Sequence, residues 1–301
     1  GRIPGGSSSG AGVSVADGMC AVAIGTDTGG SVRIPAALNG VTGFKTTTGR
    51  IPLNGVYPLS STLDSVGPLA PTVSCCIVTD AILDDRVPVI PAALPIENLR
   101  FGIPQHYVLN DLDDHVAGTF EDTLRKLERA GASITEVQSQ MYDEIPGAMP
   151  NGGILGAEAF AHHRNRMDKE KDRYDPRVWI RIRRGESLSA ADLIDCHRAR
   201  TDIQSRAAKI ATPYDAFLMP TCPVVPPAIA PIDADEEAYG AANILMLRNT
   251  TVGNFLDTCA LSLPCHAPGT GPVGLMIMSA SRHDEWLVRI GLTVEKALAR
   301  K

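Results

Sequence analysis

Two glycine–serine clusters near the amino end constrain this chain more than any other feature. Gly5-Gly6-Ser7-Ser8-Ser9-Gly10 and Gly25-Thr26-Asp27-Thr28-Gly29-Gly30-Ser31 bracket a mostly apolar run from Val13 to Ile24, interrupted chiefly by Asp17 and Gly18. Glycine beside serine is what a backbone needs when it must turn sharply and let another group come close. The second cluster runs on through Val32-Arg33-Ile34-Pro35, with Pro35 suited to the first turn of a helix. A serine at that junction has its hydroxyl and several backbone N–H groups aimed at one spot, which suits a nucleophile beside an oxyanion hole. Other readings fit less well. Gly5 to Gly12 lacks the Lys-Ser/Thr that closes a P-loop, and Gly10-Ala11-Gly12 lacks the third glycine of a dinucleotide turn. The apolar run is also too long for a solvated linker.

Composition narrows the function classes. A chain of 301 residues buries roughly 75% of its unfolded surface, enough for one large core. Its 44% hydrophobic content argues against disorder, and a net charge of −6 leaves no global basic field to hold nucleic acid or an anionic membrane. No apolar run approaches the ~20 residues that span a bilayer. The seven cysteines are an odd count, and neither CxxC nor HExxH spacing occurs. Cys196-His197 and Cys265-His266 are direct neighbours, which cannot easily share one metal, so no metal site is expected. Buried free thiols in a reducing cytoplasm are the expectation. The chain opens at Gly1, without an initiator Met, inside a motif neighbourhood, so it is expected to be a fragment lacking its amino-terminal part.

Periodicity and turn chemistry place the elements. A helix is expected from Ser8 to about Val22, then a short strand over Ala21–Ile24. Residues 51–70, rich in Pro, Gly and Ser, read as an ordered loop, and residues 71–83 as a helix. The three prolines within 84–98 mark a surface connection. A strand over 99–104 leads to a helix capped by Asp113-Asp114, with Val116, Phe120, Leu124 and Leu127 on one face. Gly131 ends it and a strand over 132–137 follows, a strand–helix–strand order that indicates an α/β layer. Helices are expected over 153–172, 188–211, 237–256 and 283–299, and strands over 217–219, 260–264 and 273–278. The basic run 177–184 reads as a solvated helix face with Trp179 and Ile182 turned inward. Residues 223–231 read as a proline-rich loop. His162, His163, His197 and His266 read as surface or packing residues.

GGSSSG at 5–10, GTDTGGSVRIPA at 25–36 and Gly43-Phe44-Lys45 form a dense motif, and Thr62-Leu63-Asp64-Ser65-Val66-Gly67-Pro68-Leu69 continues it. Tyr214 to Thr221, Arg248-Asn249-Thr250, Leu261 to Cys265, Pro272 to Leu275 and Val294-Glu295-Lys296 follow in order. In these stretches, which cover essentially the whole chain, the sequence resembles the amidase signature family. The resemblance implies one domain over 1–301, an α/β/α sandwich around a mixed β-sheet, here truncated at its amino end. It implies no cofactor and a Ser–cis-Ser–Lys triad without histidine. Ser31 matches the nucleophile, and Ser7 matches the bridging serine, which the family holds on a cis peptide bond. The N–H groups of Thr28, Gly29, Gly30 and Ser31 match the oxyanion hole, and Ser8, Asp27 and Arg33 match residues that brace the two serines.

The implied chemistry is hydrolysis of a small-molecule amide to a carboxylate and ammonia or an amine. Ser31 attacks the carbonyl, its proton passes to Ser7, and Ser7 passes its own to a neutral lysine. Such a lysine must be brought from about 10.4 toward ~7–8. The family places that lysine upstream of the first serine cluster. Lys45 instead matches the structural lysine of a GxKPT pattern, with Thr46 where the proline belongs. The base is therefore unassigned, and this chain by itself is expected to be nearly inactive. Two alternatives stand beside a stand-alone amidase: the glutamine-hydrolysing subunit of a glutamyl-tRNA(Gln) amidotransferase, and a truncated homologue that binds without catalysis. Residues 150–190 resemble the stand-alone enzymes. Neither nucleic acid nor membrane is an expected partner, and a homodimer is the assembly to test. Substrate side chains are expected to meet the far half of the chain, around Met141–Gly153 and Arg248–Asn254.

Overall fold

The structure is a computed structural model that describes residues 1–299. In chain order its helices and strands are α1 Ser9–Ala16, β1 Ala23–Thr26, α2 Arg33–Asn39, β2 Thr42–Lys45, β3 Val66–Ala70, α3 Val73–Leu83, β4 Arg100–Pro104, α4 Asp114–Arg129 and β5 Ser133–Val137. The second half adds α5 Gly153–Met167, α6 Pro176–Arg183, α7 Ala190–Ala211, β6 Ala216–Pro220, α8 Ile229–Asp233, α9 Glu236–Phe255, β7 Cys259–Pro264, β8 Gly274–Ser279 and α10 Asp284–Ala299. The strands form one eight-stranded sheet in the order β1-β3-β2-β7-β8-β6-β4-β5. β4 pairs parallel with β5 and β6, and the other pairings are antiparallel, so the sheet is mixed.

Strand alternation sorts the core into two faces. On β6, β7 and β8, Leu218, Leu261, Leu263, Leu275 and Ile277 join a cluster with Val73 of α3, Phe120 and Leu127 of α4, and Leu287 and Ile290 of α10. The residues between them, Phe217, Met219, Ala260, Met276 and Met278, point the other way and pack with Val252 and Phe255 of α9. α2 lies on this second face, where Ile34, Ala37 and Leu38 meet Met246 of α9 and Cys222. Helices therefore cover both faces, the α/β/α arrangement. α4 shows how the sequence builds one of them: Asp113 accepts from the Val116 N–H at 2.7 Å as N-cap, and Val116, Phe120 and Leu127 are buried on one stripe.

Five elements differ from expectation. α1 stops at Ala16, because Gly18 takes a left-handed φ of 69° and the Met19 N–H turns back to the Ser14 carbonyl. Residues 51–65 are loop, but 66–70 form β3, wholly buried between β1 and β2. Pro68, opposite Ile24, has no N–H for the ladder, which is why this segment reads as loop in sequence. β2, at Thr42–Lys45, has no counterpart among the expected strands, and α8 takes up the end of the expected proline-rich loop. α5 ends at Met167 rather than near 172. The basic run behaves as expected: α6 buries Ile182 and half-buries Trp179, whose ring lies under Lys171 and Arg183.

Candidate active site

The two glycine–serine clusters meet at the start of α2. The Ser8 N–H donates to the Ser31 carbonyl at 3.2 Å, and the Ser8 hydroxyl reaches the Thr26 carbonyl at 3.5 Å. This contact requires glycine at position 25, where a Cβ would lie 2.6 Å from Ser8 Oγ and 2.9 Å from Ser8 Cβ. The Gly6–Ser7 peptide bond is cis. Ser7 is exposed and Ser31 half-buried, so both serines border a surface that solvent reaches.

The loop between β1 and α2 is held from below by a buried ion pair. Asp27 and Arg33 are both fully buried, with Arg33 Nη2 2.9 Å from Asp27 Oδ1 and Arg33 Nε 3.0 Å from Oδ2. The same Oδ2 accepts from the N–H groups of Val32 at 3.3 Å and Arg33 at 3.4 Å, which caps the helix start. Asn254 of α9 completes the pair, donating to Asp27 Oδ1 at 2.9 Å and accepting from Arg33 Nη2 at 2.7 Å. Arg33 Nη2 also donates to the Thr250 carbonyl at 3.0 Å. Burial pushes the Asp27 carboxyl up, but the Arg33 guanidinium, the charge of Lys45 and the Asn254 amide outweigh it and hold it at about 2.

With Asp27 turned toward Val32 and Arg33, the four N–H groups before them are left over. Among the described residues, none of the amides of Thr28, Gly29, Gly30 and Ser31 donates a hydrogen bond. Their carbonyl side is tied down: Gly29 O accepts from Thr250 Oγ1 at 2.8 Å, and Gly30 O accepts the Ile34 N–H at 2.8 Å. Unpaired adjacent amides of this kind form a cradle for a negative oxygen.

A second set of residues positions the loop, and sequence reasoning gave them no role. Thr28 Oγ1 donates to Asp64 Oδ1 at 2.6 Å, while Asp64 Oδ2 accepts from the Leu59 and Ser60 amides at 2.9 and 3.0 Å. Glu158 of α5 then holds that segment, accepting from the Thr62 amide at 3.1 Å, from Thr62 Oγ1 at 2.6 Å and from the Ser60 hydroxyl. Asp64 stands in the 62–69 motif stretch, so a signal existed. Glu158 comes from a distant helix and nothing in its local sequence points to this loop; Thr250 and Asn254 lie in the Arg248–Asn254 stretch expected near the substrate, but their bonds to Gly29 and Asp27 are set only by the packing of α9.

Lys45 is fully buried at the end of β2, and its ammonium donates to the carbonyls of Thr46 at 2.9 Å and Thr258 at 2.8 Å. It has no hydrogen bond to either serine among the described residues. Burial, reinforced by the nearby Arg33 charge, pulls it down to about 8 from an ordinary value of 10.5. Between those two values the unfolded chain holds a proton that the folded chain lacks, so stability rises with pH. Relative to Lys45→Met, the wild-type chain should gain up to about 3 kcal/mol as pH climbs from 8 to 10.5. Urea unfolding of both proteins across that range checks this, and a difference independent of pH would contradict it.

Of the histidines, His162 and His197 are exposed, His163 bonds the Tyr174 hydroxyl at 2.8 Å, and His266 Nδ1 lies against the Val273 backbone. No group of His, Cys, Asp and Glu suited to a metal ion occurs among the described residues.

A family model described as Amidase matches residues 1–288. The chain belongs to the amidase family. Among curated relatives of this amidase-family chain, 2-amino-5-chloromuconic acid deaminase of Comamonas testosteroni is 35% identical, over 99% of this chain and 65% of the relative. Indoleacetamide hydrolase of Rhizobium radiobacter is 32% identical, over 98% of this chain and 67% of the relative. A solved amidase crystal structure superposes with a TM-score of 0.86 at 28% identity, covering 98% of this chain and 67% of that one. The chain thus spans about two thirds of the length of these relatives.

Proposed function

We propose that this chain carries the serine machinery of an enzyme that cleaves a small-molecule carboxamide to a carboxylate and ammonia or an amine. The observation that carries the reading is the set of four unpaired amides, Thr28 to Ser31, at a half-buried serine whose carbonyl is hydrogen-bonded to the Ser7–Ser8 segment. Ser31 Oγ attacks the amide carbonyl, and its proton passes to Ser7. The carbonyl oxygen, now negative, is received by the N–H groups of Thr28, Gly29, Gly30 and Ser31. As the tetrahedral intermediate collapses, the C–N bond breaks and the departing nitrogen takes a proton through Ser7. Water then hydrolyses the Ser31 ester. Asp27, Arg33 and Ser8 keep the loop in place throughout.

Ser7 relays the proton in the family pattern to a lysine, and Lys45, committed to two carbonyls, is not placed for that role. The names of the relatives, an indoleacetamide hydrolase and a 2-amino-5-chloromuconic acid deaminase, support carbon–nitrogen cleavage as the reaction class. Seven unpaired cysteines support a reducing compartment, the cytoplasm.

The test is covalent labelling. In protein that also carries the triad lysine, an alkyl fluorophosphonate should modify Ser31, located by peptide mapping, and the adduct should vanish in Ser31→Ala. An adduct elsewhere in the wild-type chain, or full labelling of Ser31→Ala, would sink the assignment.

A further inference from the structure

Arg248 is a cation that the protein itself leaves incompletely answered. It lies on α9 with a side chain only 9% exposed. Its Nε donates to Asn249 Oδ1 at 3.0 Å and its Nη2 to the Val108 carbonyl at 3.3 Å, both neutral acceptors. Nη1 makes no hydrogen bond among the described residues; its acidic neighbour is Asp111 Oδ2 at 3.6 Å, on a side chain 85% exposed. Tyr107 contributes a ring face 5.9 Å from the guanidinium carbon. A guanidinium cannot shed its proton to escape desolvation, so a nearly buried one needs an anion.

Its place on α9 says where that anion comes from. In the same stretch of helix, Thr250 Oγ1 and Thr251 Oγ1 reach the Gly29 carbonyl at 2.8 and 3.5 Å, and Leu247 is the side chain nearest to a Cβ built on Gly29. Arg248 precedes Thr251 by three residues, and such neighbours adjoin on a helix surface. It therefore flanks the strip that touches the amide cradle. Asn249 fixes the backbone beneath it, donating to the carbonyls of Val108 at 2.9 Å and Pro220 at 2.8 Å.

We propose that Arg248 binds a carboxylate at the far end of the substrate, so that the amide cleaved at Ser31 belongs to an anionic molecule, such as the monoamide of a dicarboxylic acid. The inference rests on the amidase reading for where the amide lies. A guanidinium fork matches a carboxylate in shape and charge, and Nη1 supplies the donor that the protein has not used. Asp111, at the rim, weakens the anion's attraction and screens the site when it is empty.

Calorimetry on the wild-type chain decides the matter, with succinamic, glutaramic and adipamic acids against the neutral diamides of the same lengths. At least one monoacid should bind about 10- to 100-fold tighter than its diamide, the range expected for a hydrogen-bonded charge pair. Arg248→Gln should erase that preference, and Arg248→Lys should keep part of it, since the charge remains and the fork is lost. Asp111→Asn, a change at an exposed position that leaves the fold alone, should tighten monoacid binding about two- to threefold. Equal binding of acid and diamide, no measurable binding of any monoacid, a preference that survives in Arg248→Gln, or no tightening in Asp111→Asn would each overturn the proposal. Labelling at Ser31 uses no carboxylate, so the two ideas fail separately. A chain that labels but shows no preference loses only Arg248's role; one that prefers the monoacid but does not label loses only the hydrolytic chemistry.

Discussion

An Asp27→Ala protein should unfold roughly 3–5 kcal/mol more easily than the wild type and melt about 6–10 °C lower. The substitution leaves Arg33 fully buried, charged, and facing only the Thr250 carbonyl, the Asn254 amide oxygen and the Met276 sulfur. None of these carries a compensating charge, and the guanidinium stays protonated. The N–H groups of Val32 and Arg33 lose their acceptor in the same stroke. Removing both charges should cost less than removing one: Asp27→Ala combined with Arg33→Met should recover most of the loss, because the expense is an unpaired buried ion rather than a missing attraction. The pH dependence has a defined sign. Asp27 titrates at about 2 in the folded chain against an ordinary 3.8, so its contribution is complete above pH ~4 and fades as pH falls toward 2. Across that window the wild type should give up about 2 kcal/mol of its advantage over Asp27→Ala. Denaturant unfolding of the single and double variants measures all of this, and a single variant within about 1 kcal/mol of wild type would mean that Arg33 finds its anion elsewhere.

Gly30→Ala should slow fluorophosphonate labelling of Ser31 by about 100-fold or more while the protein stays folded. Gly30 has φ of 131°, a backbone conformation that costs a residue with a Cβ roughly 1–3 kcal/mol. The added Cβ would also sit 2.1 Å from Thr250 Oγ1, 2.6 Å from Thr250 Cβ and 2.8 Å from Ile34 Cδ1. Neither neighbour can yield cheaply, since Thr250 holds Gly29 and Arg33, and Ile34 is buried in the α2 core. The loop itself must move, and its amides leave the oxyanion position proposed for them; losing one such donor costs on the order of 10²–10³ in rate. Gly29 supplies the control. A Cβ there would meet nothing closer than Leu247 Cδ2 at 3.7 Å, so Gly29→Ala should label within a few-fold of wild type. Circular dichroism separates a displaced loop from an unfolded protein. Wild-type labelling of a folded Gly30→Ala would show that the amide cradle does not activate Ser31.

The local order of the chain was legible because short-range chemistry writes it. Helix α4 follows from its Asp113 cap and apolar stripe, and β6 from a short apolar run closed by Pro220. β3 was hidden by Pro68, and β2 by its brevity: four residues are too few for periodicity to speak, and partners on either side make them a strand. At the site the same division holds. Ser7, Ser8, Asp27, Arg33 and the glycines of the second cluster lie within one stretch of sequence, whose turn chemistry announces a sharp bend beside a helix start. Glu158 looks like an ordinary helix residue until α5 is laid against that bend, and the Arg248–Asn254 stretch, expected near the substrate, shows which of its residues touch the bend only once α9 is in place.

The sequence by itself determined that two glycine–serine turns exist, that a helix begins after Ser31, and that the chain is an α/β protein of the amidase family pattern. The tertiary structure alone decided which amides remain unpaired, which residue of α9 completes the Asp27–Arg33 pair, and that the acidic neighbour of Arg248 is an exposed carboxylate 3.6 Å away. Turns and caps depend on neighbours a few residues away, so sequence encodes them directly. Hydrogen-bond satisfaction and charge compensation depend on groups more than two hundred positions apart, as between Arg33 and Asn254, and only packing brings those together.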